Sequence, residues 1–317
     1  MAQHFLLSSK AKTLSLAQVL RLSDEEAFKL FCAIRWEGGE PVCPKCENAA
    51  CYTYASRQIF KCKACGSQFS ATSGTVFHSR KMKLRDYLAC IALFVNGAKG
   101  MSALQMSRNL CCNYKSAYVL LMKLRETMMI DQHAMTVGGE VEIDGAFFGG
   151  FVRPENRVED RKDRRLKANQ TGKRRAVVVM RERQGRTLPM VFDSEAEAAP
   201  TIAERVETGS VVYADEGTGW DSLHARFAMK RINHSVSFHD EGTDTNQAES
   251  YFSRLRRSEI GVHHRISGDH LNAYAGEMAW REDNRRADNG RQFRKVVNAA
   301  ATAPKSAKWC GYFQRGA

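Results

Sequence analysis

Asp144 lies near the end of the run VEIDGAFF and Asp215 closes VVYAD, and each leads into small, turn-forming residues. Branched and aromatic side chains dominate both runs, which reads as two strands. Carboxylates at strand ends are where an open α/β sheet places its chemistry. Glu249 follows Asp215 after 33 intervening residues, inside DTNQAESYFSRLRR. As a helix, that stretch puts Asn246, Glu249 and Arg256 on one face and turns Tyr251, Phe252 and Leu255 toward a core. Each acid alone reads as a surface residue; the combination points to a site. Three convergent carboxylates repel one another unless cations occupy the site, and hard divalent ions such as Mg²⁺ or Mn²⁺ prefer oxygen ligands. Two ions about 4 Å apart activate an attacking oxygen and stabilise a leaving one in an in-line phosphodiester displacement. Glu142 shares a strand face with Asp144; Asp144 is favoured as the ligand because it lies nearer the strand end.

Four of the ten cysteines carry a second pattern: Cys43 and Cys46, fifteen intervening residues, then Cys62 and Cys65. Each two-residue gap lets a tight turn present two thiolates, and the long gap lets a hairpin bring the pairs to one tetrahedral ion. The spacing is that of a zinc ribbon. A closed four-thiolate site leaves no open position, so this Zn²⁺ is expected to be structural. Gly66 suits the second turn, and Cys51 is spare.

Elements must position these groups. Ser23 and Glu26 have capping-box spacing ahead of an apolar period, predicting a helix that ends before Gly38 and Gly39. From Leu84 the sequence reads as three helices, at about 84 to 96, 102 to 110 and 114 to 128, broken by glycine and asparagine. The second and third have helix-turn-helix proportions, with Tyr114, Lys115 and Ser116 placed to enter a major groove; an ordinary helical hairpin packing a core fits equally well. After residue 137 come the strands EVEIDGAFFGG, RRAVVVMRER, TLPMVFDS, SVVYADEG and INHSVSF, with helices at about 199 to 207, 219 to 228, 245 to 257 and 268 to 286. This order indicates an α/β class. Three domains are expected: residues 1–80 with the first helix and ribbon, 81–136 as the helix-turn-helix-like region, and 137–317 as a catalytic domain. Within the last, the arm 153–175 has ten basic and four acidic side chains and almost no large apolar residue. It concentrates positive charge beside Asp144, or is a solvated loop without function.

Lys and Arg number 48 against 35 Asp and Glu, a surplus of +13 that favours polyanionic partners, nucleic acid first. The 43% hydrophobic content excludes a disordered chain. The longest apolar run, Leu88 to Val95, is far too short to span a bilayer, so no membrane partner is expected. An intracellular, reducing setting then argues against a disulfide framework.

Together the motifs resemble the DDE transposases of bacterial insertion sequences, the ISXO-like group with an amino-terminal zinc ribbon. The resemblance runs from RWEGGEPVCPKC through CKACGSQFSATSGTVFH, MSALQMSRNL, VEIDGAFFGG and VVYADEG to TNQAESYFSRLRR and LNAYAGEMAWREDNRR, most of the chain. It implies a ribonuclease-H-like catalytic domain, Mg²⁺-dependent cleavage that frees a 3′ hydroxyl at transposon ends, and attack of that hydroxyl on target DNA. By matching motifs Asp144, Asp215 and Glu249 become the metal-binding triad. Asn246 and Arg256 match the asparagine three before and the basic residue seven after the glutamate. Some relatives have asparagine as the third signature residue, which leaves the roles of Asn246 and Glu249 open to exchange. The implied partners are double-stranded DNA, as terminal inverted repeats and as target, and further copies of the chain in a synaptic assembly. DNA contacts are expected from Tyr114, Lys115 and Ser116 and from Arg164, Arg165, Lys173 and Arg174 of the arm, in a cytoplasmic, nucleoid-associated protein. The chain departs from the pattern at Gly145, where the family often has an acid, and in an arm longer and richer in acids. Two other functions use the same parts: a DNA-binding regulator whose catalytic domain is inactive, and a nuclease that cuts without joining.

Overall fold

The Ser23 hydroxyl accepts from the N–H of Glu26 at 3.1 Å and the Glu26 carboxylate accepts from the N–H of Ser23 at 2.7 Å, closing the capping box that the spacing implies. The structure is a computed structural model that describes residues 5–37, 39–150, 155–163, 166–169, 172–183, 185–232 and 245–315. Two units divide the chain: Met1–Ile130 with Arg286–Ala317, and Asp131–Arg285.

In the first unit a short helix α1 (Leu16–Arg21) precedes α2 (Asp24–Arg35), and a three-stranded antiparallel sheet follows: β1 (Cys51–Tyr54), β2 (Ile59–Cys62) and β3 (Gln68–Ser70). Phe60 of β2 anchors this sheet on α2, its ring centroid 5.9 Å from Phe28, 5.4 Å from Trp36 and 5.4 Å from Phe69. Helices α3 (Leu84–Asn96), α4 (Ala103–Asn109) and α5 (Tyr114–Met129) lie within two residues of their expected bounds. Ser102 and Asn113 cap α4 and α5 by accepting from the N–H groups of Gln105 and Lys115. The last helix of the chain, α9 (Asn289–Thr302), packs against α2, α3 and α5. Its apolar side (Phe293, Val296, Val297, Ala300) is buried.

The two cysteine pairs form matching turns. The N–H of Glu47 reaches the carbonyl of Cys43 at 2.9 Å, and the N–H of Gly66 reaches that of Cys62 at 3.1 Å. Both residues are left-handed, at φ 59° and 68°, a conformation that glycine adopts without strain and Glu47 adopts at some cost. The four sulfurs all lie within 4.8 Å of one another, with Cys43 to Cys65 at 3.6 Å and Cys46 to Cys62 at 3.5 Å. A tetrahedral zinc with bonds near 2.3 Å sets its sulfurs about 3.8 Å apart, so the cluster fits that ion. Hydrogen bonds from Ser67 hold the Cys65 thiol down at about 6, which favours a thiolate ligand.

In the second unit a five-stranded mixed sheet runs in the order β6, β5, β4, β7, β8: Thr187–Phe192, Arg174–Glu182, Glu140–Gly149, Val211–Asp215 and Ala228–Ile232. The first three pair antiparallel, while β4 with β7 and β7 with β8 pair parallel. One face is covered by α6 (Ala199–Arg205) and a 3-10 helix (Thr218–Ala225), burying Val141, Ile143, Val178, Val212, Ile202 and Trp220 in one core. Helices α7 (Asn246–Ser258) and α8 (Gly268–Asp283) are joined by the Tyr251 hydroxyl, which donates to the carbonyl of Ala275 at 3.0 Å. Two expectations change. The stretch read as a helix at 219 to 228 is a 3-10 helix, because its buried anchors Trp220 and Leu223 stand three apart, the repeat of that helix. The strand after it is Ala228–Ile232, ahead of the expected INHSVSF, whose residues after Ile232 lie outside the described residues.

Replacing Cys62 with serine is expected to abolish zinc binding and unfold the ribbon while unit two keeps its structure, since a structural zinc supplies on the order of 10 kcal/mol or more to such a module. Metal analysis by mass spectrometry with hydrogen exchange checks this. Full zinc content in the variant would contradict the four-thiolate assignment.

Candidate active site

Parallel pairing of β4 with β7 sets Ile143 beside Ala214, so Asp144 and Asp215 are the next residues along two adjacent central strands. The Asp215 carboxylate accepts from the N–H of Gly217 at 3.1 Å and from the Trp220 indole at 2.7 Å, fixing its rotamer. Asp144 accepts from the N–H of Gly145 at 2.7 Å. Burial pushes the Asp144 carboxyl up to about 7 against that hydrogen bond, and the negative charges of Asp215, Glu249 and Glu195 push it further in the same direction.

Glu142 stands two residues before Asp144, and alternation puts both on the same face of β4. It is fully buried and accepts from three protein donors. One carboxylate oxygen accepts from the backbone N–H groups of Gln247 and Ala248 at 2.9 and 3.0 Å, and the other accepts from Arg183 at 3.0 Å. These amides belong to the first turn of α7, where Thr245 makes no side-chain cap. A strand carboxylate therefore does the work of an N-cap. Burial nonetheless leaves the Glu142 carboxyl above its usual range, with the amides and Arg183 opposing. Arg183 in turn lies over the Tyr213 ring at 3.8 Å, and the Tyr213 hydroxyl donates to Glu140 at 2.7 Å.

Glu249 is the next residue after the clamped amides, exposed on the same helix as the exposed Asn246 and Arg256. Tyr251, Phe252 and Leu255 are buried, as the helical period implies. Arg256 lies 5.9 Å over the Phe148 ring. Glu195, beyond the end of β6, is a fourth carboxylate of this region. A Cβ built on Gly145 would come within 2.7 Å of its carboxyl carbon and oxygen, so glycine is what lets Glu195 approach. Glu195 reaches the space over Gly145 from the 3-10 helix Glu195–Ala198 that follows β6. Burial, then the charge of Asp215, raises the Glu195 carboxyl. Sequence reading missed it, because Asp193 is the acid that directly follows TLPMVF; the strand-end expectation also changes for Asp144, which lies in the middle of β4 because that strand runs on to Gly149. Among the described residues only the four cysteines bring three or more ligand atoms within 4.8 Å of one another, so the acids form a looser group than the ribbon site.

Of the residues expected to touch DNA, Tyr114, Lys115 and Ser116 are exposed in the first turn of α5. Lys173 is exposed and Arg174 begins β5 with its guanidinium 5.1 Å over Phe147. Arg164 and Arg165 lie outside the described residues. No helix among the described residues is long and apolar enough to cross a membrane.

Comparison with known proteins matches residues 136–283 to the ISXO2-like transposase domain and residues 22–68 to the transposase zinc-ribbon domain. The chain belongs to the ISXO2-like transposases. The uncharacterized protein in transposable element ISH50 of Halobacterium salinarum is 23% identical over 292 residues, 88% of this chain and 97% of that relative. An uncharacterized transposase-like protein of Haemophilus influenzae is 30% identical over 90 residues, 28% of this chain and 72% of its own length. The matched transposase domain contains Asp144, Glu195, Asp215 and Glu249 together with Glu142 and its helix, and the matched ribbon domain contains all four clustered cysteines.

In this transposase, Glu142→Ala would leave Arg183 and two helix amides without their buried acceptor. A loss of about 3–5 kcal/mol of stability is expected for unit two, the range for breaking a buried ion pair. Urea denaturation measures it. Stability within about 0.5 kcal/mol of wild type, the usual effect of a neutral surface change, would contradict the clamp.

Proposed function

We propose that this transposase binds the ends of its element, cleaves there to free 3′ hydroxyls, and joins those ends to target DNA at the carboxylate site of unit two. The observation that carries the reading is the convergence of Asp144, in the middle of β4, and Asp215, at the end of the adjacent parallel β7, with Glu249 on a helix pinned to β4 by Glu142. Three antiparallel strands followed by two parallel ones, with the first two acids on the central pair, support a ribonuclease-H-like reading of this unit.

The donor set fits Mg²⁺ or Mn²⁺: it is all carboxylate, and Asp144 sits among negative charges that a divalent cation would balance. Asp144, Asp215 and Glu249 would hold two such ions, which supply activation of the attacking oxygen and stabilisation of the leaving one. Gly217 and Trp220 keep Asp215 in place for that task. Asn246, three residues before Glu249, would orient a ligand or water on the same helix face, and Arg256 would meet a phosphate of the DNA strand. Glu195 adds negative charge beside Asp144 and Asp215. In unit one, α4 and α5 are read as a helix-turn-helix whose Tyr114, Lys115 and Ser116 face duplex DNA. Lys173 and Arg174 add phosphate contacts near the acids.

Strand cleavage and joining on a labelled duplex bearing the element's own ends, with Mg²⁺ or Mn²⁺, tests the reading. Asp144→Asn, Asp215→Asn and Glu249→Gln are each expected to lower the rate by about 10²-fold or more while DNA binding persists. Variants that still cleave at the wild-type rate would overturn the triad; cleavage without joining would make the protein a nuclease. Binding itself is expected to weaken steeply with salt, roughly 10³-fold between about 50 and 200 mM for six or more phosphate contacts. Anisotropy titrations at several salt concentrations measure it, and a flat profile would contradict phosphate-dominated binding.

A further inference from the structure

Near its C-terminus the chain carries a segment that neither the ribbon nor the carboxylate site uses, KSAKWCGYFQR from Lys305 to Arg315. It is a built structure. The Arg315 guanidinium donates to the carbonyls of Ala307, Lys308 and Cys310 at 2.6–2.8 Å, and the N–H of Trp309 donates to the Ser306 hydroxyl at 2.8 Å. Trp309 is buried, and the Tyr312 ring lies tilted against it with centroids 4.7 Å apart. Phe313 then stands edge-on to Tyr312 at 5.1 Å and 6.1 Å from Tyr118 of α5, with more than a third of its surface exposed.

This segment closes one wall of a pocket of about 620 Å³ within unit one, a size suited to a small ligand. The other walls come from α5 and from the turn before α3. Arg80, Lys81, Lys115, Lys123 and Lys305 line it, and no carboxylate does. Lys115 lies 5.2 Å over the Phe313 ring. An adjoining groove of about 490 Å³ shares Ser79, Arg80, Lys81 and Met82 with the pocket and continues to Arg57 and Lys83, toward the hairpin of the ribbon. A held, accessible aromatic ring in a cavity whose lysines and arginines face no carboxylate, continued by a basic track, is the chemistry that takes an unpaired base on its ring and the following phosphates on its cations. An ordinary duplex offers no base face to such a ring. A purely apolar partner would leave five cations without counter-charge.

We propose that this pocket binds an unpaired nucleotide of single-stranded DNA, the base against Phe313 and the flanking phosphates along Arg80, Lys81 and Lys305. The inference rests on the DNA-binding reading above; the pocket shares Lys115 and Ser116 with the duplex face of α5, and Phe313 is what distinguishes it from that face. The full chain is titrated by fluorescence anisotropy with two labelled probes, a short oligothymidylate and a blunt duplex. Phe313→Ala is expected to weaken oligothymidylate binding about tenfold, with Phe313→Trp restoring it, and to leave the blunt duplex within about twofold. Oligothymidylate binding unchanged in Phe313→Ala, or equal loss on both probes, would overturn the proposal. Thymidine monophosphate competing as well as the oligonucleotide would also overturn it, in favour of a free nucleotide site. Wild-type protein that holds oligothymidylate through Phe313 but ignores the duplex would uphold the pocket and sink the duplex reading of α5.

Discussion

A carboxylate with no access to water must find hydrogen-bond donors in the protein, and Glu142 finds three: two backbone amides in the first turn of α7 and the guanidinium of Arg183. This constraint ties β4 to the start of α7, beside the apolar contacts of Tyr251, Phe252 and Leu255. The amides would otherwise be orphans, because α7 lacks a side-chain cap of its own. Joining a strand to a helix terminus in this way sets where residue 249 emerges, one position after the clamped amides. Arg181 reinforces the same corner from β5, bonding to Thr187 and reaching Gln247 of α7 and Glu282 and Asp283 of α8.

The neighbouring acids have the opposite character. Asp215 is held by Gly217 and Trp220, whereas Asp144 accepts from the adjacent Gly145 amide and feels the negative charges of Asp215, Glu249 and Glu195. Desolvation and like charge together lift Asp144 to about 7, so the folded chain strains against its own ionisation there. In the proposed function, divalent cations would balance this charge. The acids are more loosely grouped than the cysteine cluster, which suits the two proposed roles: a closed four-thiolate site that holds a fold, and open carboxylates that would leave positions for a substrate.

Features written in local spacing were legible in the sequence. The capping box at Ser23, the paired CxxC turns, the four strands up to Asp215 and the buried side of α7 all depend on residues a few positions apart. The 3-10 helix at Thr218 was harder to separate from an α-helix because Trp220 and Leu223 suit either period over so short a run. Glu142 and Glu195 could be seen as acids but not assigned, since one role requires an uncapped helix more than a hundred residues away and the other the space above Gly145. Likewise, nothing local reports that α9 and the segment after it join the first unit. Their aromatic residues acquire meaning only when Tyr118 and Lys115 are beside them.

The central claim, that the acids of β4, β7 and α7 form a divalent-cation site, is tested most directly by a crystal structure of the full chain with Mn²⁺, using anomalous scattering to locate the ions. The account predicts anomalous density coordinated by Asp144 and Asp215 and completed by Glu249, with Glu142 still on the α7 amides and Arg183. Mn²⁺ bound by Glu142 with the helix released, or saturating Mn²⁺ that leaves Asp144 and Asp215 without a metal, would contradict it.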